Sequence, residues 1–210
     1  MNLLTQYGVV ADLELIGGDH FISKARNVLL QRALDKGYGT VFFVDSDQGW
    51  DAEGFIRVLF HDPPIVAGVP PKKIDDPTRS FEHLLLDSDT GGKVHVEGGL
   101  LRALRVGAGF LRIRRDALEI LAAAYPEKVE PGDGSGLDSV HWLFDAGPIN
   151  GHFWGEDLSF CLKWREQGGY IWIDPNINFT HSGIKHWEGN LLTYLQAYCE
   201  VTLNGCTNFE

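Results

Sequence analysis

The stretch VFFVDSDQGW, residues 41–50, is decisive for the fold because an apolar run ends abruptly at two aspartates. The four apolar residues 41–44 are β-branched or aromatic, which is typical of a buried central strand in a parallel sheet. Asp45 and Asp47 then fall just beyond that strand, where open α/β sheets bind their ligands. Side chains two residues apart can point the same way, and carboxylate oxygens suit Mg²⁺ or Mn²⁺. The pattern therefore predicts a metal site at Asp45 and Asp47.

The tripeptide Asp-Ser-Asp occurs a second time, at residues 87–89, and is followed there by Thr90, Gly91 and Gly92. This is the composition of a turn, because an aspartate side chain can bond to backbone groups nearby. We therefore predict a hairpin turn at the second copy and a metal site only at the first. A D-x-D pattern alone also occurs in solvated loops, so that alternative stays open at this point.

Helix and strand patterns alternate on both sides of residues 41–50. Helices are predicted at about 23–37, 51–60, from 116, 156–167 and about 190–201; strands are predicted at 9–16, 41–44, 65–69, 100–114 with a break at 107–109, and 170–173. This alternation predicts an α/β fold with a mixed, mostly parallel sheet flanked by helices. A length of 210 residues predicts a single domain.

Composition excludes several classes of function. A net charge of −11 argues against non-specific binding to nucleic acid, whose phosphates attract basic surfaces. No stretch approaches the roughly 20 apolar residues of a membrane span. The N-terminal residues lack the features of a secretory signal, and Cys161, Cys199 and Cys206 are too few and too scattered for a disulfide framework or a zinc site. These features predict a reduced, cytoplasmic setting.

Five segments, in a fixed order, resemble the GT-A glycosyltransferases, and most of all the inverting family 2 type and its small versions from bacteria and their viruses. The segments are FISKARN, VFFVDSD, VGAGFLRIRRDALEIL, FWGEDLSFCLKWREQGGYIWIDP and HSG, within roughly residues 20–190. The resemblance implies a GT-A-like fold with a nucleotide-side half at about residues 1–75 and an acceptor-side half at about 95–210. It also implies a UDP- or GDP-linked sugar donor, a glycan or other hydroxyl acceptor, and Mn²⁺ or Mg²⁺ as cofactor.

The resemblance assigns roles to individual residues. Asp45 and Asp47 match the D-x-D that holds the cation on the sugar diphosphate, and His181 matches a late histidine that completes the metal shell. The pair Glu156 and Asp157 matches the catalytic acidic pair, in which the aspartate is the general base for the acceptor hydroxyl. Contacts with the nucleotide-sugar are expected for Arg26, Asn27, Ser46, Lys73, Gly107 and Gly109, and Trp154 is expected to stack on a sugar ring.

Each of these assignments has a structural alternative. The helix dipole alone favours acidic residues at a helix N-terminus, which would account for Glu156 and Asp157. Arg26 could be a charge on a helix face, and His181 an ordinary histidine. Gly107 and Gly109 could mark a bulge in a strand. Lys73, in a basic pair with Lys72, could be solvated, and Trp154 could simply pack.

The first residues, MNLLTQYG, resemble the helix that follows the first strand of a GT-A domain, so that strand is expected to be missing. Its absence would expose an edge of the sheet, which favours binding of a partner chain or self-association. Two further functions remain open. One is a non-catalytic carbohydrate-binding or virion-associated module on a decayed transferase fold. The other is a metal-dependent nucleotidyltransferase or phosphoesterase that uses the same carboxylates.

Overall fold

A computed structural model describes residues 2–17, 21–81, 83–132, 135–149 and 151–198. The α-helices are α1 (Asn2–Gln6), α2 (Ile22–Asp35), α3 (Ala52–Phe60), α4 (Arg115–Ala124), α5 (Glu156–Glu166) and α6 (Leu191–Tyr198). The strands are β1 (Thr40–Val44), β2 (Gln48–Trp50), β3 (Ile65–Ala67), β4 (Leu85–Leu86), β5 (Val96–Glu97), β6 (Leu100–Arg105), β7 (Phe110–Arg114), β8 (Lys128–Val129), β9 (Val140–His141), β10 (Gly147–Ile149), β11 (His152–Trp154), β12 (Ile171–Ile173), β13 (Asn178–Ser182) and β14 (His186–Asn190).

Over the described residues, the central sheet has seven strands in the order β1-β7-β3-β12-β6-β4, with β5 also paired to β6. Among its described strands, only β3 and β12 pair in parallel. The prediction of a mixed α/β sheet flanked by helices is confirmed, but the prediction that most strands are parallel is wrong. Helix–strand alternation does not fix strand direction. Here β7 is inserted antiparallel between β1 and β3, although it comes later in the chain.

Strand β1 lies at an edge of the sheet and not at its centre. Among the described strands it pairs only with β7, from Thr40↔Arg114 to Val44↔Phe110. The sequence of β1 is apolar because other parts of the protein pack against both of its faces. Phe43 packs into the same core as residues of α2, whereas Phe42 stacks on Phe55 of α3 with ring centroids 4.5 Å apart. An edge strand covered in this way has the composition of a central one.

Two apolar cores lie on opposite faces of the sheet, and the strands contribute to them alternately. In β3, Ile65 and Ala67 belong to the first core and Val66 to the second. Helices α2, α4, α5 and α6 supply the first core, and α3 supplies Val58 to the second. Full burial of an aliphatic side chain stabilises the fold by about 1.5–3 kcal/mol, so these contacts hold the sheet and helices together as a platform for the loops.

The segment before α2 differs from its prediction. Residues 9–17 form neither helix nor strand, so the strand expected at 9–16 is wrong. Val10, Leu13 and Leu15 are exposed, which shows that the apolar residues here do not reflect a buried face. Polar contacts to α2 and its C-terminal turn hold this segment, among them an ion pair between Glu14 and Arg32.

The described part of the chain also bears on membrane insertion and on the cysteines. None of its helices is both long and apolar enough to cross a membrane. Its one described cysteine, Cys161, is a buried free thiol whose pKa is raised to about 12 by burial. Cys199, Cys206 and the end of the last predicted helix beyond residue 198 lie outside the described residues.

Candidate active site

A cavity of about 240 Å³ opens where β1 and β3 end and the antiparallel strand β7 begins. Six of the residues predicted from sequence line it. They come from the first half of α2, the turn after β1, the segment between β6 and β7, and the first turn of α5: Arg26, Asp45, Gly107, Gly109, Glu156 and Asp157. Segments far apart in the chain therefore converge on one concave surface.

Arg26 joins two carboxylates across this cavity. Its Nη2 atom donates to Oδ1 of Asp45 over 3.1 Å, and its Nη1 atom donates to Oε1 of Glu156. The Arg26 side chain is only 6% exposed, and its guanidinium also lies 5.8 Å from the ring centroid of Phe144. A buried guanidinium needs partners of opposite charge, so this contact fixes the end of β1 against the start of α5. The residue is not a solvated charge on a helix face.

Asp157 is a cavity carboxylate whose pKa differs from the ordinary value for aspartate. Burial raises its pKa above the ordinary value, and the neighbouring charge of Glu156 raises it further. These effects outweigh the opposing influence of the Leu158 backbone N–H, which donates to Oδ1 of Asp157 over 2.8 Å, and of Arg26. A carboxylate with a raised pKa binds a proton more readily, which is a property of a general base.

A second cluster is formed by Asp47, Lys73 and His181, and Asp47 belongs to the same turn as the cavity residues Asp45 and Gln48. Lys73 Nζ donates to Oδ2 of Asp47 over 2.6 Å, and Nε2 of His181 lies 3.5 Å from the same oxygen. Burial tends to raise the pKa of Asp47, but the Lys73 hydrogen bond and the nearby charges of His181 and Lys73 outweigh it, so that the pKa is lowered. Asp47 is therefore ionised at neutral pH.

Strand pairing brings His181 to Asp47. The backbone N–H of Gln48 donates to the carbonyl of Asp45 over 3.2 Å and closes the turn that leads into β2. Strand β2 pairs with β13, so that His181 is opposite Gln48, and the Ser182 N–H donates to the Asp47 carbonyl over 2.7 Å. The β13–β14 hairpin that presents His181 was not predicted from sequence.

The orientation of the His181 ring follows from its second contact. Nδ1 lies 2.7 Å from the carbonyl oxygen of Pro71, which can only accept, so Nδ1 carries the hydrogen. Nε2 then faces Asp47, as an ion-pair donor when the ring is protonated and as a free ligand atom when the ring is neutral. Metal-binding histidines are commonly held in this way by a carbonyl on the other nitrogen.

This donor set fits Mn²⁺ or Mg²⁺ in part. Among the described residues, no three His, Cys, Asp or Glu side chains form a group ready to hold a metal ion. Asp47 and His181 supply two ligands, and magnesium-type sites usually complete their shell with water and substrate phosphates. One oxygen of Asp45 is engaged by Arg26 and the residue lines the cavity, so its role as a metal ligand stays a prediction.

Three other predicted residues do not face the cavity. Asn27 is fully buried. Its Nδ2 atom donates to the Phe144 carbonyl, and its Oδ1 atom accepts from the N–H groups of Leu143 and Phe144. Its role is to tie α2 to the loop after β9. Ser46 is exposed in the turn after β1, and Trp154 ends β11 without lining the cavity.

The second Asp-Ser-Asp tripeptide forms the predicted turn. Oδ1 of Asp89 accepts from the N–H groups of Gly91 and Lys93, at 2.9 and 3.0 Å. The Asp89 N–H donates to the Lys93 carbonyl over 3.0 Å, and Ser88 bridges to Val94. The prediction that distinguished the two copies is confirmed for this one.

Sequence reasoning missed two polar residues of the cavity, Gln48 and His83. Gln48 could have been found, because it is the fourth residue of a tight turn that starts at Asp45 and so returns to the same edge of the sheet. His83 follows a loop with no recognisable pattern, and only the three-dimensional arrangement reveals it.

Comparisons with known proteins do not identify the chain. No family model matches it, and no curated protein matches it. Among solved structures it is similar to the crystal structure of A197 from STIV, with 15% sequence identity and a TM-score of 0.48, over 86% of this chain and 76% of that chain. A likeness of this size carries no argument about function, so any functional assignment must come from the site.

Proposed function

We propose that the protein is a metal-dependent glycosyltransferase that moves a sugar from a nucleotide-sugar to an acceptor hydroxyl. The observation that supports this most strongly is the adjacency of two chemically different clusters. Asp157 and Glu156 line the cavity, and Asp47, two residues after the lining residue Asp45, contacts Lys73 and His181. A sugar diphosphate also has two chemically different parts, an uncharged sugar ring and a charged diphosphate, so each part could be bound by one cluster.

The charges of the cavity favour the sugar over the phosphates. Its described lining residues include three carboxylates, those of Asp45, Glu156 and Asp157, and one guanidinium, that of Arg26. A phosphate would be repelled by this excess of negative charge, whereas hydroxyl groups can donate hydrogen bonds to carboxylates. The cavity volume of about 240 Å³ is also below the roughly 300–1,000 Å³ of sites for larger ligands. We therefore assign the sugar ring to the cavity.

Asp157 is the proposed general base. Its carboxylate takes the proton of the acceptor hydroxyl as the acceptor oxygen attacks the anomeric carbon, and the bond from that carbon to the diphosphate oxygen breaks. This is a single displacement, which inverts the configuration of the sugar. A positioned base of this kind typically contributes about 10²–10⁴-fold to the rate. Glu156 supports the reaction by holding Arg26 and by keeping the pKa of Asp157 raised.

The second cluster is proposed to bind the leaving group. Lys73 lies next to Asp47 and supplies a positive charge that can pair with a phosphate oxygen. Asp47 and His181 would hold the cation, which when bound stabilises the negative charge of the departing diphosphate. A hydrogen bond from Trp187 to Asp75, at 3.0 Å, and an ion pair between Lys185 and Asp75 fix the Lys73 loop to the β13–β14 hairpin.

The direct test is a panel of UDP- and GDP-linked sugars, incubated with the protein, Mn²⁺ and candidate glycan acceptors. We expect release of nucleoside diphosphate that depends on Mn²⁺, with the sugar recovered on an acceptor. The absence of both turnover and binding across the panel would contradict the proposal. Asp157→Asn provides the control, because it should abolish most transfer while it leaves binding of the donor intact.

The same assay distinguishes the other functions that the sequence leaves open. A product that carries a nucleotidyl or phosphate group in place of a sugar would indicate a nucleotidyltransferase or a phosphoesterase. Calorimetry that detects glycan binding, with no binding of nucleotide or Mn²⁺, would indicate a carbohydrate-binding module.

A further inference from the structure

Gln48 lines the cavity and carries a buried polar atom. Its Oε1 atom is buried and has no hydrogen-bond partner among the described residues. The residue itself lines the cavity. A buried acceptor that lacks a donor loses the hydration it had in the unfolded chain and gains nothing in return. Such atoms are uncommon in folded proteins, and each calls for an explanation.

The surrounding backbone fixes where Gln48 lies. Its N–H closes the turn with Asp45, and its Cα is opposite His181 in the β2–β13 pair. The side chain extends over Gly109, so closely that a Cβ on this glycine would lie 2.3 Å from Nε2 of Gln48. Glycine at residue 109 therefore leaves the space that the Gln48 amide occupies beside the Asp45 carboxylate.

We propose that Gln48 is a specificity-determining residue that forms a hydrogen bond with a hydroxyl of the transferred sugar. This inference rests on the proposed function and names the contact that would recognise the sugar. A hydroxyl both donates and accepts hydrogen bonds. It can therefore pair with the end of the Gln48 amide that reaches the cavity, whichever way the amide group is turned. The excess of carboxylates in the cavity disfavours a phosphate oxygen at the same position.

The test uses Gln48→Met, which keeps the approximate size of the side chain and removes its polar group. Calorimetry with Mn²⁺ compares the affinity of wild type and variant for UDP- and GDP-linked sugars, and for UDP and GDP alone. We expect about 5- to 20-fold weaker binding of the nucleotide-sugar that the wild type binds. The affinity for the nucleoside diphosphate alone should change by less than about twofold.

A second measurement requires no ligand. Because Gln48→Met removes a buried acceptor that has no donor, the thermal midpoint of the unliganded variant should equal or exceed that of the wild type. Gln6→Met, on the exposed side of α1, serves as the matched control and should alter neither affinity nor the midpoint.

The outcomes separate this inference from the proposed function. If the wild type binds a nucleotide-sugar and Gln48→Met binds it equally well, the role of Gln48 is wrong and the proposed function stands. If the variant loses affinity for UDP and UDP-sugar alike and its midpoint falls, Gln48 is structural and the inference is again wrong. If the wild type binds no nucleotide-sugar, the proposed function fails, and the inference fails with it.

Discussion

Nε2 of His181 lies 3.5 Å from Oδ2 of Asp47, although one residue follows the first strand of the sheet and the other lies in a hairpin near the C-terminal end of the described chain. Three local structures produce this contact: the turn at residues 45–48, the β2–β13 pair, and the Pro71 carbonyl that orients the ring. A carboxylate and an imidazole brought together in this way form the core of the proposed cation site.

Asp47→Asn should weaken Mn²⁺-dependent binding of UDP by at least about tenfold, since the loss of even the outer partners of a metal has an effect of that size. Calorimetric titration of UDP with and without Mn²⁺ measures the change. The matched control is Asp89→Asn, the same substitution in the second Asp-Ser-Asp, where the carboxylate caps a turn. Equal effects of the two substitutions would contradict a metal role for Asp47.

Asp157→Asn should raise stability at neutral pH while it lowers transfer by about 10²–10⁴-fold. The pKa of Asp157 is raised in the folded protein, so the ionised carboxylate destabilises the fold at pH values above that raised pKa. Below about pH 4, the ordinary pKa of aspartate, the carboxyl group is protonated in both states and the difference disappears. Thermal midpoints at several pH values should show a gain at neutral pH that shrinks on acidification.

Asp116→Asn is the control for this stability effect and should have the opposite sign. Asp116 also lies in the first turn of a helix, but its ion pair with Arg114 lowers its pKa. The ionised form is therefore favoured in the folded protein, and its contribution is lost on acidification or on substitution. If both substitutions shifted the midpoint in the same direction at neutral pH, the environment assigned to Asp157 would be wrong.

Glu156→Gln should move the acidic limb of the kcat/KM profile to lower pH. The charge of Glu156 is one of the causes that raise the pKa of Asp157, after burial, and its removal also leaves the charge of Arg26 less compensated. Both changes favour the ionised form of Asp157. Measurement of kcat/KM against pH for wild type and variant tests this shift. If the acidic limb stays at the same pH, that limb does not report the ionisation of Asp157.

Gly109→Ala should reduce binding of the nucleotide-sugar far more than it reduces stability. The added Cβ would lie 2.3 Å from Nε2 of Gln48 and 2.8 Å from Oδ2 of Asp45, both at the ends of side chains that can shift away. Gly39→Ala is the matched control, because its Cβ would meet no atom within 4 Å and the residue does not line the cavity. Comparable loss of binding in the two variants would contradict the close approach at Gly109.

Much of the local structure could be predicted from sequence because it depends on short-range patterns. The helix predicted at 51–60 is present as α3, and Asp51 caps it by accepting from the Gly54 N–H over 2.6 Å. The break predicted at 107–109 separates β6 from β7. In these segments, apolar spacing and turn residues determine the outcome without reference to distant parts of the chain.

Strand direction and the partners of the site residues could not be predicted in the same way. The run at 41–44 has the composition of a central parallel strand because α2 and α3 cover both of its faces, yet it is an antiparallel edge strand. The engagement of Asp45 by Arg26 and the use of Asn27 as a structural tie depend on packing between distant segments. Residue type and spacing do not determine such contacts.

The most direct test of the central claim is a crystal of the protein soaked with Mn²⁺ and UDP. The account predicts an anomalous density peak for manganese between Asp47 and His181, with the diphosphate beside Lys73 and the cavity at Asp157 left free for a sugar. Manganese and UDP bound at a different surface, with no anomalous density next to Asp47, would contradict it.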